Sequence, residues 1–260
     1  MRGHGDSEHY EEVDATVSHS GGQSIKLYQR AYGGRVRRDF NLPLPEGTLI
    51  KLSFWVLCPR GGSFENKHFS GGLGTPDAML ANLDVFDASP NWRPYVLSTS
   101  LSSFTDRFHV EFGTGSGNGS YQGFDWATWV DDVKVEVVLK AEAQSWTVTD
   151  DDIAVVVRLP EGYERAKIVP GSARLVSQHS VFDWSPGIVA ETVDGRASLT
   201  FKDVPRLIDE IQAPSSSPGH TPGLGIRLQL AVPDNATGAE FRVAAACGIR
   251  KRERSANSGP

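Results

Sequence analysis

From Leu49 to Cys58 the chain places Ile50, Leu52, Phe54, Val56 and Cys58 on one alternation and Lys51, Ser53, Trp55 and Leu57 on the other. Alternation of this length does not suit a helix, whose apolar positions recur every three to four residues, and it demands a strand with one buried face. The same signal recurs at 23–28, 79–86, 95–99, 107–112 and 129–139, and no helical apolar stripe is sustained anywhere. Turn-forming stretches such as Pro59-Arg60-Gly61-Gly62-Ser63 and the run 113–123 separate these segments. The 27 glycines and 15 prolines among 260 residues suit strands joined by short connections.

The pattern pauses over 140–145 and resumes with different spacing, which predicts two domains, 1–140 and 141–260. In the second, Ile153, Val155, Val157 and Leu159 alternate, and Asp194-Gly195 between apolar strands suits a type I′ hairpin. A further hairpin is expected from 224–232 and 240–249. Pro205–Ile211 reads as one short helical turn, and Ala213–Gly223, rich in serine, proline and glycine, as a long loop. The expected fold is all-β, with a β-sandwich in each half.

A formal net charge of -6 argues against general affinity for nucleic-acid phosphates, and the basic cluster Arg250, Lys251, Arg252 and Arg254 lacks interleaved aromatics, so it reads as a solvated tail. Cys58 and Cys247 alone build neither a disulfide framework nor a zinc site, and both are expected as buried thiols. The first residues lack the apolar core of a signal peptide, and no apolar run is long enough to insert in a membrane.

Three segments carry a family resemblance. They are His19-Ser20-Gly21-Gly22-Gln23-Ser24-Ile25-Lys26-Leu27, then Pro45-Glu46-Gly47-Thr48 running into the strand that ends at Phe54-Trp55-Val56, and finally Trp129-Val130-Asp131-Asp132-Val133-Lys134-Val135. In this order and spacing, residues 19–136 resemble the CenC-like carbohydrate-binding modules of families 4 and 9. The resemblance implies a jelly roll that binds sugar on a concave sheet face or at edge loops, often with a structural calcium ion (Ca2+).

Sugar recognition uses aromatic rings against the apolar faces of pyranoses, with polar side chains on the hydroxyls. Trp55 is the first candidate, followed by Tyr28, Trp92, Tyr95 and Trp126, with His109 and Glu111 as polar partners on the face opposite Val110 and Phe112. The bland alternative is that these aromatics cover a second apolar layer or a domain contact. Asp131 or Asp132 matches the family's metal position, and since neighbouring strand residues point to opposite faces, one of them at most is expected as a side-chain ligand. The alternative is that both are solvated or cap a loop. One departure stands out: the family opens with a strand bearing an aromatic-Glu pair, and here Tyr10-Glu11-Glu12 lies so close to Ser20 that the opening strand is expected to be missing, leaving an open sheet edge.

No nucleophile elbow, phosphate-binding loop, paired His ligands or distinct carboxylate pair is present, so no enzyme activity is expected. The expected function is a non-catalytic module that binds glycans or a surface polymer, joined to a second sandwich acting as spacer or docking domain. The rival is a structural virion protein, such as a phage capsid decoration or tail component, partnered by other subunits of an assembly and used in adhesion. Either role places the chain outside a cell or on a virion surface.

Overall fold

In the computed structural model the alternation of Leu49–Cys58 becomes a strand of the same limits, with Ile50, Leu52, Phe54, Val56 and Cys58 all at most 5% exposed. The structure describes residues 2–3, 9–29, 35–59, 69–85, 89–114, 126–148, 152–163, 166–177, 183–186, 188–193, 195–202, 224–233 and 240–249. The expected helical turn at 205–211 and loop at 213–223 lie outside them, as does the basic cluster. Every regular element among the described residues is a strand, so the fold is all-β. The chain forms two compact units, Met1–Val137 and Val138–Pro260.

The first unit contains β1 (Arg2–Gly3), β2 (His9–Asp14), β3 (Ser24–Gln29), β4 (Arg35–Leu44), β5 (Leu49–Cys58), β6 (Phe69–Gly74), β7 (Met79–Val85), β8 (Ser89–Ser100), β9 (Thr105–Gly113) and most of β10 (Trp126–Lys140). One sheet runs β8-β5-β10-β3-β2 and the other β1-β4-β9-β6-β7. From β3 to β6 the chain changes sheet at every step, and it does so again from β7 to β10. That traffic makes a jelly roll and not two stacked meanders.

The two sheets meet through aromatic packing. Phe54 of β5 lies 5.7 Å from Phe69 and 5.1 Å from Phe112, both on the opposite sheet. A Cβ at Gly71 would stand 3.0 Å from the Phe54 ring, so glycine there is a condition of the close approach.

Contrary to the expectation of a missing opening strand, Tyr10-Glu11-Glu12 lies inside β2, which pairs antiparallel with β3 from His9↔Gln29 to Asp14↔Ser24. The short separation from Ser20 is no obstacle, because β2 and β3 are consecutive partners of one hairpin and the loop 15–23 is all the chain it needs. The edge of β3 is thereby covered. This removes the open edge as an argument for assembly.

The second unit has β11 (Glu142–Val148), β12 (Ile153–Arg158), β17 (Arg196–Phe201) and β16 (Ile188–Val193) hydrogen-bonded in that order. Its other sheet runs β15 (Asp183–Pro186), β14 (Arg174–Ser177), β18 (Leu224–Pro233) and β19 (Glu240–Ile249), with β13 (Lys167–Ile168) also on β18. The last residues of β10, Val138–Lys140, run parallel to β19 at Ala244–Ala246. Ile153, Val155, Val157, Ala197, Leu199 and Phe201 from one sheet, and Leu175, Ile226, Leu228, Leu230 and Val243 from the other, are at most 2% exposed. The hairpin expected here forms, with Val193 paired to Arg196 and Gly195 at φ 72°, while Asp194 lies outside the described residues.

Candidate functional site

Antiparallel register decides which residues share a face. Facing pairs place Trp55 beside Pro94, Ser53 beside Val96 and Lys51 beside Ser98, on the side of the β8-β5-β10-β3-β2 sheet away from the core. Trp129 and Lys26 form another pair on that outer face, opposite in sense to the buried Leu27 and Thr128. The outer face therefore carries the aromatic residues, and the loop 15–23 folds onto it.

His19, in that loop, lies parallel to Trp55 with ring centroids 3.8 Å apart and planes 15° apart, and meets Trp92 edge-on at 5.8 Å. Its Nδ1 is 2.7 Å from Oδ2 of Asp132. An ionised carboxylate only accepts, so Nδ1 carries the proton and donates, which leaves Nε2 of the neutral ring as an acceptor. Ser20 Oγ donates to Oδ1 of the same carboxylate. The Ser20 hydroxyl first, and then the His19 ring, hold the Asp132 carboxyl below its usual range.

The neighbouring carboxylate holds the loop's backbone. Asp131, 8% exposed, accepts N–H bonds from His19 at 2.7 Å and Ser20 at 3.0 Å on Oδ2, and from Asp132 at 2.7 Å on Oδ1. Strict alternation would send Asp131 and Asp132 to opposite faces. Asp132 instead has φ 50°, a left-handed conformation that aspartate tolerates better than most residues, and the break in alternation lets both carboxylates reach the same loop.

On the same hairpin, Asp14 accepts from Trp129 Nε1 at 2.8 Å, from the Thr16 hydroxyl at 2.6 Å and from the Thr16 N–H at 2.7 Å. The Thr16 hydroxyl and then the indole hold its carboxyl well below the usual range.

The structural calcium implied by the resemblance does not fit Asp131 and Asp132. Calcium needs several oxygen ligands converging on one point, whereas the groups aimed at these carboxylates are N–H and O–H donors, which repel a cation. Among the described residues no group of three His, Cys, Asp or Glu side chains could hold a metal. The arrangement is a carboxylate capping a loop. Adding a chelator, or millimolar calcium, is expected to leave the melting temperature of the first unit unchanged in differential scanning calorimetry; a clear shift with either would show that a cation is held.

The remaining candidates divide. Trp92 joins Trp55 at the site, whereas Tyr28 is in register with Ala127 and Tyr10 and its side chain lies outside the described residues. Tyr95 does not join them: it pairs with Phe54 in register and its ring lies 5.9 Å from the Phe54 ring, on the core side. Trp126 is in register with Gln29 at the start of β10, and its side chain lies outside the described residues.

His109 and Glu111 belong to the other sheet, on β9. Glu111 lies 3.4 Å from Arg35, and His109, 5% exposed, lies over Gly74, where a Cβ would come within 2.4 Å of its ring. Burial, then the charge of Arg37, lowers the pKa of His109, against the opposing pull of Glu111 and Asp39. Neither residue can serve as a polar partner of Trp55.

Sequence reasoning missed His19 and Trp129. Trp129 was legible, since its position in the 129–139 alternation is opposite to that of Val130. His19 had no local signal, because its partners are 36 and 73 positions along the chain, at Trp55 and Trp92. Cys58 is a buried free thiol, as expected, 3.5 Å from the Thr128 hydroxyl, and burial raises its pKa.

No family model matches the chain, and no curated protein does. Among solved structures, a family 16 carbohydrate-binding module is similar at 11% identity and TM-score 0.35, over 50% of this chain and 88% of that one. A xylan-binding domain from Paenibacillus barcinonensis is similar at 12% identity and TM-score 0.34, over 52% of this chain and 85% of its own. The enzymatically active domain of a tailspike protein of bacteriophage CBA120 is similar at 10% identity and TM-score 0.40, and there the match takes in 52% of this chain but 18% of the tailspike chain.

Proposed function

We propose that the first unit is a non-catalytic module that binds a glycan through the aromatic outer face of the β8-β5-β10-β3-β2 sheet. The observation that supports this reading is the stack of His19 on Trp55 with Trp92 at its edge, half-exposed on a sheet face with hydroxyl and carboxylate groups around it. Flat rings held rigidly in this way complement the C–H faces of pyranoses, and the surrounding polar groups complement their hydroxyls. The carboxylates of Asp14, Asp131 and Asp132 are taken up in holding the loop, which favours binding over hydrolysis.

Affinity electrophoresis of the whole chain in polysaccharide-containing gels tests the reading. The native chain is expected to be retarded, and Trp92→Ala to lose about tenfold or more in affinity, because burying an aromatic surface against a sugar ring contributes on the order of 1–2 kcal/mol. Glu111→Gln, on the other sheet, should run as the native chain does. The reverse pattern would move the site to the other face.

A further inference from the structure

We infer that His19 is the residue this surface presents to its ligand, with Trp55 as its backing, and that the ligand is a neutral, hydroxyl-rich sugar. This rests on the glycan-binding reading given above. With centroids 3.8 Å apart and near-parallel planes, the imidazole covers one face of the Trp55 indole, so a sugar approaching from that side meets the imidazole first.

The ring is fixed at three points. Asp132 holds Nδ1, Trp55 supports the ring face, and Asp131 holds the backbone N–H groups of His19 and Ser20. A ring so restrained loses little conformational freedom on binding, which is the property of a platform and not of a lid. Nε2 has no partner among the described residues and is free to accept a hydroxyl proton.

The ligand class follows from the local charge. Asp132 bonds the ring at Nδ1 and Asp131 accepts the backbone N–H of the same residue, Lys51 is within 3.7 Å of Glu136, Lys134 within 2.9 Å of it, and Lys26 within 2.7 Å of Glu12. A uronate or sulfate group brought to this ring would have the part-exposed Asp132 carboxylate beside it, and lysines that are already paired. A neutral pyranose meets a ring face, an acceptor nitrogen and a hydroxyl.

The test is a glycan array carrying neutral, uronate-bearing and sulfated sugars, probed with the native chain, His19→Ala and His19→Phe, each checked for folding by circular dichroism. The native chain should select neutral glycans. His19→Ala should bind them about tenfold more weakly, and His19→Phe, which keeps the stack but has no acceptor, should fall between. Equal or tighter binding by folded His19→Ala would overturn the assignment while leaving glycan binding intact, because the imidazole would then be only a cover on Trp55. Selection of anionic sugars would overturn the ligand class. Binding of no sugar by the native chain would overturn the functional reading and this inference together.

Discussion

Asp131→Ala is expected to destabilise the first unit by about 3–5 kcal/mol, since it strips a buried carboxylate from the three N–H donors it holds. The donors are the backbone amides of His19, Ser20 and Asp132. Their loss leaves the loop 15–23 held to β10 only through the side-chain bonds of His19 and Ser20 to Asp132, so the His19–Trp55 stack should loosen along with the fold. Asp131→Asn offers one acceptor oxygen and turns an NH2 group towards a donor, so its cost should be smaller but clear. Urea unfolding followed by tryptophan fluorescence measures both effects. If Asp131→Ala unfolds within about 0.5 kcal/mol of the native chain, a level typical of neutral surface changes, the carboxylate is not what holds the loop.

Phe54→Ala should cost about as much, roughly 3–5 kcal/mol, for a different reason: a large side chain, 1% exposed, leaves a cavity between two sheets. Phe69, Phe112 and Tyr95 all lose a ring neighbour. Gly71 cannot compensate, because it is the close approach of Phe54 that requires glycine there. The loss should appear as a lower urea midpoint with little change in slope. A cost below about 1 kcal/mol, the range of volume-conserving swaps, would mean that the sheets do not pack through this ring.

The sequence made strands legible where one face is apolar and the other is not. Leu49–Cys58 is the clearest case, and the hairpins at 188–201 and 224–249 follow from alternation joined to turn residues. The strands it concealed have physical excuses. In β6, Phe-Ser-Gly-Gly-Leu-Gly, three positions carry no side chain because the Phe54 ring, Met79 and His109 occupy that space, so no alternation remains to be read. In β4, Arg38 shares the alternation of Val36 and Phe40 and lies 5.2 Å above the Phe40 ring, while the register shifts between Asn41 and Leu44. A charge on the apolar alternation and an irregular register hide a strand from any period-two reading.

The candidate site was half legible for a related reason. Alternation identifies the face that Trp55 occupies, but it cannot say which sheet a distant residue joins, and His109 and Glu111 of β9 belong to the opposite sheet. It also assumed that Asp131 and Asp132 diverge, which one positive φ at Asp132 undoes. His19 could be found only in three dimensions, since its role comes from a loop crossing β10 to reach β5.

The most direct test of the central claim is a quantitative glycan-binding measurement on the whole native chain, by isothermal titration calorimetry against the polysaccharides that retard it in gels. Saturable binding with a defined stoichiometry is expected, weakened about tenfold or more in folded Trp92→Ala and about tenfold in His19→Ala. An absence of heat and of retardation with every polysaccharide, for a chain shown to be folded, would contradict it and leave the aromatic face as a surface for protein contact.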